Sequence, residues 1–425
     1  MNNKYIKTII TISTLLLITG CGGGTPQDFT DNYNDTTVHN LPLMGGSNCN
    51  FVSSNDKNST TFALEYLNSL RCLSGEHNFA SNSELNSAAQ AHSNYMDDKN
   101  IVGHSENDDS TYYTGSNPSQ RVNYANYSNN FMGENVSAGQ QNFQHSISGL
   151  FSAIYHRFGF LNMVADEIGI GKTGDKYTYD MGLTDTNLIS QYRQNTPIEV
   201  VWPPANSTNI PPVFYEETPD PLPNYGVSGY PVSVEFNSAK VANDISVNQN
   251  NFTIKDSNGN YLNLAKFLNK NTDNNHELNK YQYAIFPEKR LDWGSKYFVH
   301  LEFSQGGNNY SNDWCFSTIS LASYGAERVY KVTDTSDTVN LNIKSGTSYA
   351  IYLVPKDEND KFNSYNASGN VSSLSASFID SNTLYVKAIG SVGNNITIHL
   401  NNNRDVKLII SNSDSATTPK QEICQ

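Results

Sequence analysis

The stretch HRFGFLNMVADEIGIGKTGDKYTYDMG, residues 156–182, decides the fold of the first half of the chain. A helix must end near Gly159, because the apolar helical spacing of the preceding residues stops at this glycine. The segments 167–171 and 176–181 then predict two strands joined by a turn at 173–175. A helix that leads into a hairpin indicates an α/β or α+β sandwich.

Three helices accompany the hairpin. Apolar residues at helical spacing predict one helix from Phe62 to Leu70, a second from Leu85 to Met96, and a third from Ile147 to Ile154. Ser83 is predicted to be the N-terminal cap of the second helix. The helices and the hairpin together predict one domain at residues 59–195.

Short motifs recur in order along this domain: YLNSLR (66–71), residues 85–96, GHSE (103–106), Pro118 with Arg121, GEN (133–135), His156-Arg157 and EIGIG (167–171). In this order they resemble the signatures of the CAP family, which joins cysteine-rich secretory proteins, antigen 5 and plant pathogenesis-related proteins with many bacterial exported proteins. The resemblance implies an α-β-α sandwich with a cleft lined by two histidines and, in the fullest versions, two glutamates.

The resemblance places three residues of this chain in the cleft. His104 matches the first histidine, Glu134 the first glutamate, and His156 the second histidine. The second glutamate has no match, because its helix position falls near Ala153. The chain therefore departs from the full set of four residues.

The three residues allow two kinds of chemistry. His104 and His156 could ligate Zn²⁺ or another divalent cation, the one cofactor that the motifs suggest, and Glu134 would then be the base of a metal-assisted, peptidase-like hydrolase. Alternatively, Glu134 only hydrogen-bonds one of the histidines and satisfies buried polar groups.

We expect a binding protein rather than an enzyme, with a small apolar or envelope-derived ligand in this cleft and no assigned catalytic residue. The hydrolase is the first alternative, and a cell-surface adhesion protein with the CAP-like domain as a scaffold is the second. The sequence contains no Gly-x-Ser-x-Gly, Walker-type or His-Glu-x-x-His motif, so the familiar catalytic sites are excluded.

Two neighbours of the cleft residues have a structural interpretation. His92 lies on the apolar face of its helix, which predicts a core histidine. Glu106 is followed by the polar run 107–110, which predicts a solvated loop.

The N-terminus predicts export. Lys4 and Lys7 precede an apolar run, residues 9–18, that is long enough for the core of a signal peptide and too short to span a bilayer. We therefore predict a signal peptide at residues 1–20.

The run ends in LITGC, residues 17–21, which resembles the lipobox of bacterial lipoproteins. The resemblance implies lipidation of Cys21 and a membrane-anchored protein of the bacterial cell envelope, periplasmic or surface-exposed. Gly22 follows the cysteine in place of Asp, which favours the outer membrane in a cell that has one. Residues 21–58 are rich in Gly, Asn, Asp and Thr and predict a flexible tether.

Four cysteines remain in the exported chain, an even number that predicts two disulfides in an oxidising compartment. Three pairings are possible. The pairing Cys49–Cys72 with Cys315–Cys424 keeps each bridge near one predicted domain and is preferred on that ground. A structural zinc site is disfavoured because the sequence has no Cys-x-x-Cys pair.

The second half of the chain predicts two all-β modules. Residues 196–230 are rich in proline and predict a semi-rigid, extended connector. Alternating apolar and polar residues then predict a β-sandwich at 231–320, where LDWGSKY (291–297) and WCFST (314–318) resemble bacterial Ig-like domains. Further strands predict a second sandwich at 321–425.

The amino-acid composition limits the classes of partner that this chain can bind. The chain has 27 Lys+Arg against 41 Asp+Glu and a net charge of −14, so it would repel the phosphates of a nucleic acid, which excludes that class of partner. Aromatic residues reach 11%, with 26 Tyr, which is typical of a β-rich exported protein. The sequence thus predicts a multidomain protein, with an α-β-α sandwich followed by two Ig-like β-sandwiches.

Overall fold

The computed structural model of the chain describes Cys49 and residues 52–424. The predicted signal peptide, the lipidation site Cys21 and the tether up to residue 48 lie outside the described residues. Among the described residues, none of the helices is both long and apolar enough to span a membrane.

The N-terminal domain is an α-β-α sandwich, as predicted. Its helices are α1 (Thr60–Leu73), α2 (Ser83–Lys99), α3 (Pro118–Tyr124), α4 (Phe143–Ser152), α5 (Ile154–Phe160) and α6 (Ile189–Asn195). Its sheet has the order β1-β3-β4-β2, with β1 (Ala80–Ser81), β2 (Asn130–Ala138), β3 (Glu167–Thr173) and β4 (Lys176–Leu183).

Strand β3 explains the layering, because its residues alternate between the two faces of the sheet. Ile168 and Ile170 are buried with the apolar residues of α1 and α4. Gly169 and Gly171 face α2, where a Cβ atom would lie only 2.0 Å from the backbone of Leu85 and 2.3 Å from that of Ala89. The two glycines therefore let helix α2 pack directly on the strand.

The third predicted helix is interrupted. Ala153 has an extended backbone, with φ −78° and ψ 119°, and separates α4 from α5. The periodicity of the apolar residues continues through this residue, so the sequence pattern does not indicate the break.

The first β module consists of two facing sheets, of orders β10-β11-β8-β5 and β13-β12-β9. Its strands are β5 (Glu199–Trp202), β8 (Val232–Phe236), β9 (Ser246–Lys255), β10 (Leu264–Asn269), β11 (Gln282–Pro287), β12 (Lys296–Gln305) and β13 (Asn308–Ser317), and a small separate pair is formed by β6 (Val213–Phe214) and β7 (Ser228–Gly229).

The second β module is also built of two sheets, of orders β14-β16-β19-β18 and β15-β21-β20-β17. Its strands are β14 (Arg328–Val332), β15 (Thr338–Ile343), β16 (Ser348–Leu353), β17 (Tyr365–Gly369), β18 (Ser373–Asp380), β19 (Thr383–Ile389), β20 (Asn395–Leu400) and β21 (Asp405–Ile410). The chain is thus multidomain, with an α-β-α domain followed by two β-sandwiches, as predicted.

The segment predicted as an extended connector, 196–230, differs from that description. Its residues Glu199–Trp202 form strand β5, which pairs with β8 of the first β module. Further along, Phe214 and Leu222 are buried against Ile154 and Phe158 of helix α5. The prolines indicate a stiff backbone. The apolar residues between them are stable only when they are buried, and the surface of helix α5 that buries them exists only in the folded chain.

The two disulfides are Cys49–Cys72 and Cys315–Cys424, which confirms the predicted pairing. The first ties the start of the described chain to α1. The second joins strand β13 to residues beyond the last strand of the second β module. The end of the chain therefore returns to the first β module and is covalently held there.

Candidate functional site

His104 and Glu134, two of the three predicted cleft residues, are hydrogen-bonded to each other. Glu134 lies on strand β2 and His104 on the loop that follows α2, and His104 Nδ1 is 2.8 Å from Glu134 Oε1. The Glu134 side chain is buried, whereas 39% of the His104 side chain is exposed. His104 is therefore the solvent-facing end of the pair.

Arg121 binds both members of this pair, although the sequence indicates Arg121 only as part of a motif. Its Nη2 donates to both carboxylate oxygens of Glu134, at 2.8 and 2.7 Å, and its Nη1 donates to the backbone oxygen of His104 at 2.9 Å. Helix α3 places it there, with Asn117 as N-cap and Pro118 in the first turn. Its place in the motif series was the signal that could have identified it.

His92 and Glu106 form a second pair beside the first. His92 is buried as predicted, but its Nδ1 lies 2.8 Å from Glu106 Oε1 and its Nε2 lies 2.7 Å from the backbone oxygen of Gly103. The interpretation of Glu106 as a solvated residue is wrong, because its side chain is fully buried and also accepts a hydrogen bond from the Thr114 N–H. The polar residues that surround Glu106 in the sequence do not indicate that its side chain is buried against His92.

The two pairs form one network. Arg121 Nε lies 3.6 Å from Glu106 Oε1, and His92 Nε2 lies 3.9 Å from Glu134 Oε1. We call the residues His92, His104, Glu106, Arg121 and Glu134 the cleft network. Burial alone would raise the pKa of Glu134, but the hydrogen bond from His104 and the charges of His92 and Arg121 hold it below its ordinary value.

Asp180 lies next to the cleft network, and no sequence motif singles it out. It is directly opposite Glu134 on the neighbouring strand β4, so the two side chains share a face of the sheet. It is buried, and neither of its oxygens has a hydrogen-bond donor among the described residues. Burial and the adjacent charge of Glu134 raise its pKa well above the ordinary value. A protonated Asp180 can donate to Glu134, which explains how two carboxyl groups lie side by side.

We expect the substitution Asp180→Asn to stabilise the chain increasingly as the pH rises. A carboxyl group whose pKa is higher in the folded state adds its full stability below its unfolded pKa of about 4, and loses it as the pH rises toward the folded pKa. The amide of the variant does not titrate, so its stability does not fall with rising pH for this reason. Urea unfolding at pH 4, 6 and 8 measures the difference. Asp108→Asn, at an exposed position, is the control. An equal pH response in both variants would contradict the raised pKa of Asp180 in the folded chain.

His156 has a different partner. It lies on α5, is buried, and its Nδ1 is 3.1 Å from Oε2 of Glu217, in the segment after the α-β-α domain. Glu217 also accepts the backbone N–H groups of Ile154 and Tyr155, at 2.6 and 3.2 Å, and so caps the start of α5. Burial raises the pKa of Glu217 although the bond from His156 opposes the shift. No sequence pattern singles out Glu217.

The donor set does not fit the predicted divalent cation. Both oxygens of Glu134 accept from the guanidinium of Arg121, whose positive charge would repel a second cation. The Nδ1 atoms of His104 and His156 face two different carboxylates. Among the residues that the structure describes, no group of three or more His, Cys, Asp and Glu residues is arranged to hold a metal ion.

The comparison with protein families agrees with the fold and the motif series. Residues 64–192 match the model of the cysteine-rich secretory protein family, named CAP. This part of the chain is a CAP domain. Together with the two disulfides, the CAP domain marks an extracellular type of protein.

Solved structures resemble the chain only in part. An extracellular protein containing an SCP domain from Bacillus anthracis is 20% identical, with 29% of this chain and 40% of that one covered and a TM-score of 0.27. The N-terminal part of the bacterial S-layer protein SbsC is 13% identical, with 43% of this chain and 41% of that one covered and a TM-score of 0.16. The chain thus spans less than half of either structure. No curated protein matches the sequence significantly.

Proposed function

We propose that this chain is an exported, non-enzymatic binding protein whose CAP domain takes a small apolar or envelope-derived ligand beside His104. In this proposal a lipid on Cys21 holds the protein at the bacterial envelope, and the two β modules support the CAP domain. The observation that carries the proposal is the cleft network, in which a half-exposed imidazole lies over a buried carboxylate already neutralised by Arg121.

The same observation argues against the hydrolase. A general base works best when its pKa is near the working pH. The pKa of Glu134 is held below its ordinary value, and both of its oxygens accept hydrogen bonds from Arg121. The carboxylate is therefore a weak base that positions His104.

Exposed apolar side chains near the site in sequence support an apolar ligand. Ile101, Tyr112, Tyr124 and Met132 are exposed, and they lie on the loop, helix and strand that also supply His104, Arg121 and Glu134. Exposed apolar side chains that form one patch mark binding surfaces, and in this proposal these four form such a patch beside His104.

The test is native mass spectrometry of the full chain in mild detergent, with palmitate as the apolar probe. We expect one bound palmitate, and about a tenfold weaker complex in the variant His104→Ala, because a packed and hydrogen-bonded contact is lost. His399→Ala is a matched control: His399 also lies 2.8 Å from a carboxylate, that of Asp405, and 38% of its side chain is exposed.

The proposal fails if neither palmitate nor any co-purified small molecule binds the chain. It also fails if His104→Ala and His399→Ala weaken binding equally, since the ligand would then not lie at the CAP site. Turnover of a peptide substrate that is lost in the His104→Ala variant would favour the hydrolase.

A further inference from the structure

The outer face of the first β module carries a row of side chains that the CAP site does not use. In strand β12 the buried residues Tyr297, Val299 and Leu301 face the interior of the sandwich, so Phe298 between them faces outward. Its partner on strand β9 is Lys255, and Lys255 is bridged on its other side by Tyr261. Directly paired residues share a face. We call Tyr261, Lys255 and Phe298 the aromatic row.

The two rings of the aromatic row are exposed and flank a cation. Tyr261 is 65% exposed and Phe298 41%. Lys255 Nζ lies 4.4 Å from the centroid of the Tyr261 ring, and Lys296 Nζ lies 5.6 Å from that of Phe298. The rings stand on either side of Lys255, about two strand spacings or roughly 9–10 Å apart.

The two lysines are not neutralised by neighbouring acids. Neither ammonium group has an ion-pair partner among the described residues. Asp256 accepts hydrogen bonds from the backbone and side chain of its own turn. Glu422 accepts the backbone N–H of Lys296 and lies 3.2 Å from Lys420 Nζ. The ammonium groups of Lys255 and Lys296 are therefore available to an anionic group of a ligand, although the chain as a whole has a net charge of −14.

We propose that the aromatic row is a binding site for an extended acidic polysaccharide. The apolar faces of sugar rings stack on Tyr261 and Phe298, and an anionic group of the sugar chain, a carboxylate or a sulfate ester, binds Lys255 between them. The strands fix the spacing of the rings before binding, which reduces the loss of conformational entropy. This site is independent of the ligand proposed for the CAP domain.

The test is isothermal titration calorimetry of the full chain with alginate, which carries only carboxylates, dextran sulfate, which carries only sulfate esters, and neutral dextran of matched length. We expect binding of alginate or dextran sulfate, and the one that binds more tightly identifies the anionic group; we expect no binding of neutral dextran. Tyr261→Ala and Phe298→Ala should each weaken binding about tenfold. Lys255→Gln should weaken it and also reduce its salt dependence.

Tyr310→Ala is the matched control. Tyr310 is 43% exposed, but it pairs with the inward-facing Phe303 and so lies on the other face of the same hairpin. Thermal unfolding of each variant checks that it folds, and Lys255→Gln tests the site without loss of a ring. The proposal is overturned if neither acidic polysaccharide binds, if neutral dextran or single-stranded DNA binds as tightly, or if Tyr310→Ala weakens binding as much as Phe298→Ala.

Discussion

Replacing Arg121 by methionine is expected to destabilise the chain by about 3–5 kcal/mol at pH 7, because a buried charge pair loses one partner. The Arg121 side chain is fully buried and donates to both oxygens of Glu134. Methionine fills much of the volume but leaves the carboxylate of Glu134 without this cation, next to the buried Asp180.

The pH dependence identifies the cause of this loss. In the native chain the pKa of Glu134 is lowered, so its contribution to stability is present above its unfolded pKa of about 4.3 and is lost as the pH falls. In the variant, Glu134 can become neutral by taking up a proton. The difference between the native chain and the variant should therefore be largest near neutral pH and smaller below about pH 4.

Urea unfolding followed by circular dichroism at pH 7 and pH 4 measures both effects. The double variant Arg121→Met, Glu134→Gln should recover part of the stability, because position 134 then no longer holds a buried charge without its cation. Lys99→Met removes an ion pair with Asp109 that is partly exposed, and it should cost no more than about 1 kcal/mol. A similar small loss in Arg121→Met would show that the cleft network does not depend on this guanidinium.

Replacing Arg290 by methionine should have a comparable effect, about 3–5 kcal/mol, at the junction of the two β modules. Arg290, from the first β module, forms a bidentate ion pair with Asp380 of the second, and both side chains are buried. Its guanidinium also lies 4.8 Å from the ring of Trp293 and 4.6 Å from that of Tyr352. Burial alone would lower the pKa of Arg290, but the negative charge of Asp380 has the larger effect and raises this pKa above its ordinary value.

Tryptophan fluorescence during urea unfolding measures this loss, and in a chain with Trp202 and Trp314 replaced by phenylalanine it reports the junction alone, because Trp293 is buried there and its indole N–H donates to Thr383. Lys331→Met is the matched control. Lys331 and Asp292 also join the two modules, but through an exposed ion pair, so the loss should be within about 1 kcal/mol. Equal effects of the two substitutions would show that burial of the Arg290–Asp380 pair is not what stabilises the junction.

The sequence determined the elements with a strong local pattern. The helices α1 and α2 and the hairpin of β3 and β4 follow from apolar periodicity and turn residues. For the disulfides, the sequence allowed three pairings, and the structure confirms the one that was preferred. His104 and Glu134 were predicted to share a cleft because both lie in recognisable motifs, and they are hydrogen-bonded. For these features, the residues from which the prediction was made are the same residues that form the element or the hydrogen bond.

Only the tertiary structure decided the partners of those residues. Glu106 sits in a polar run and is nevertheless buried, because the chain folds its carboxylate onto His92. Asp180 meets Glu134 only through the register of two paired strands, and Glu217 reaches His156 from 61 residues away. Hydrophobic spacing reports which face of an element is buried, but it carries no information about which distant polar group will be there.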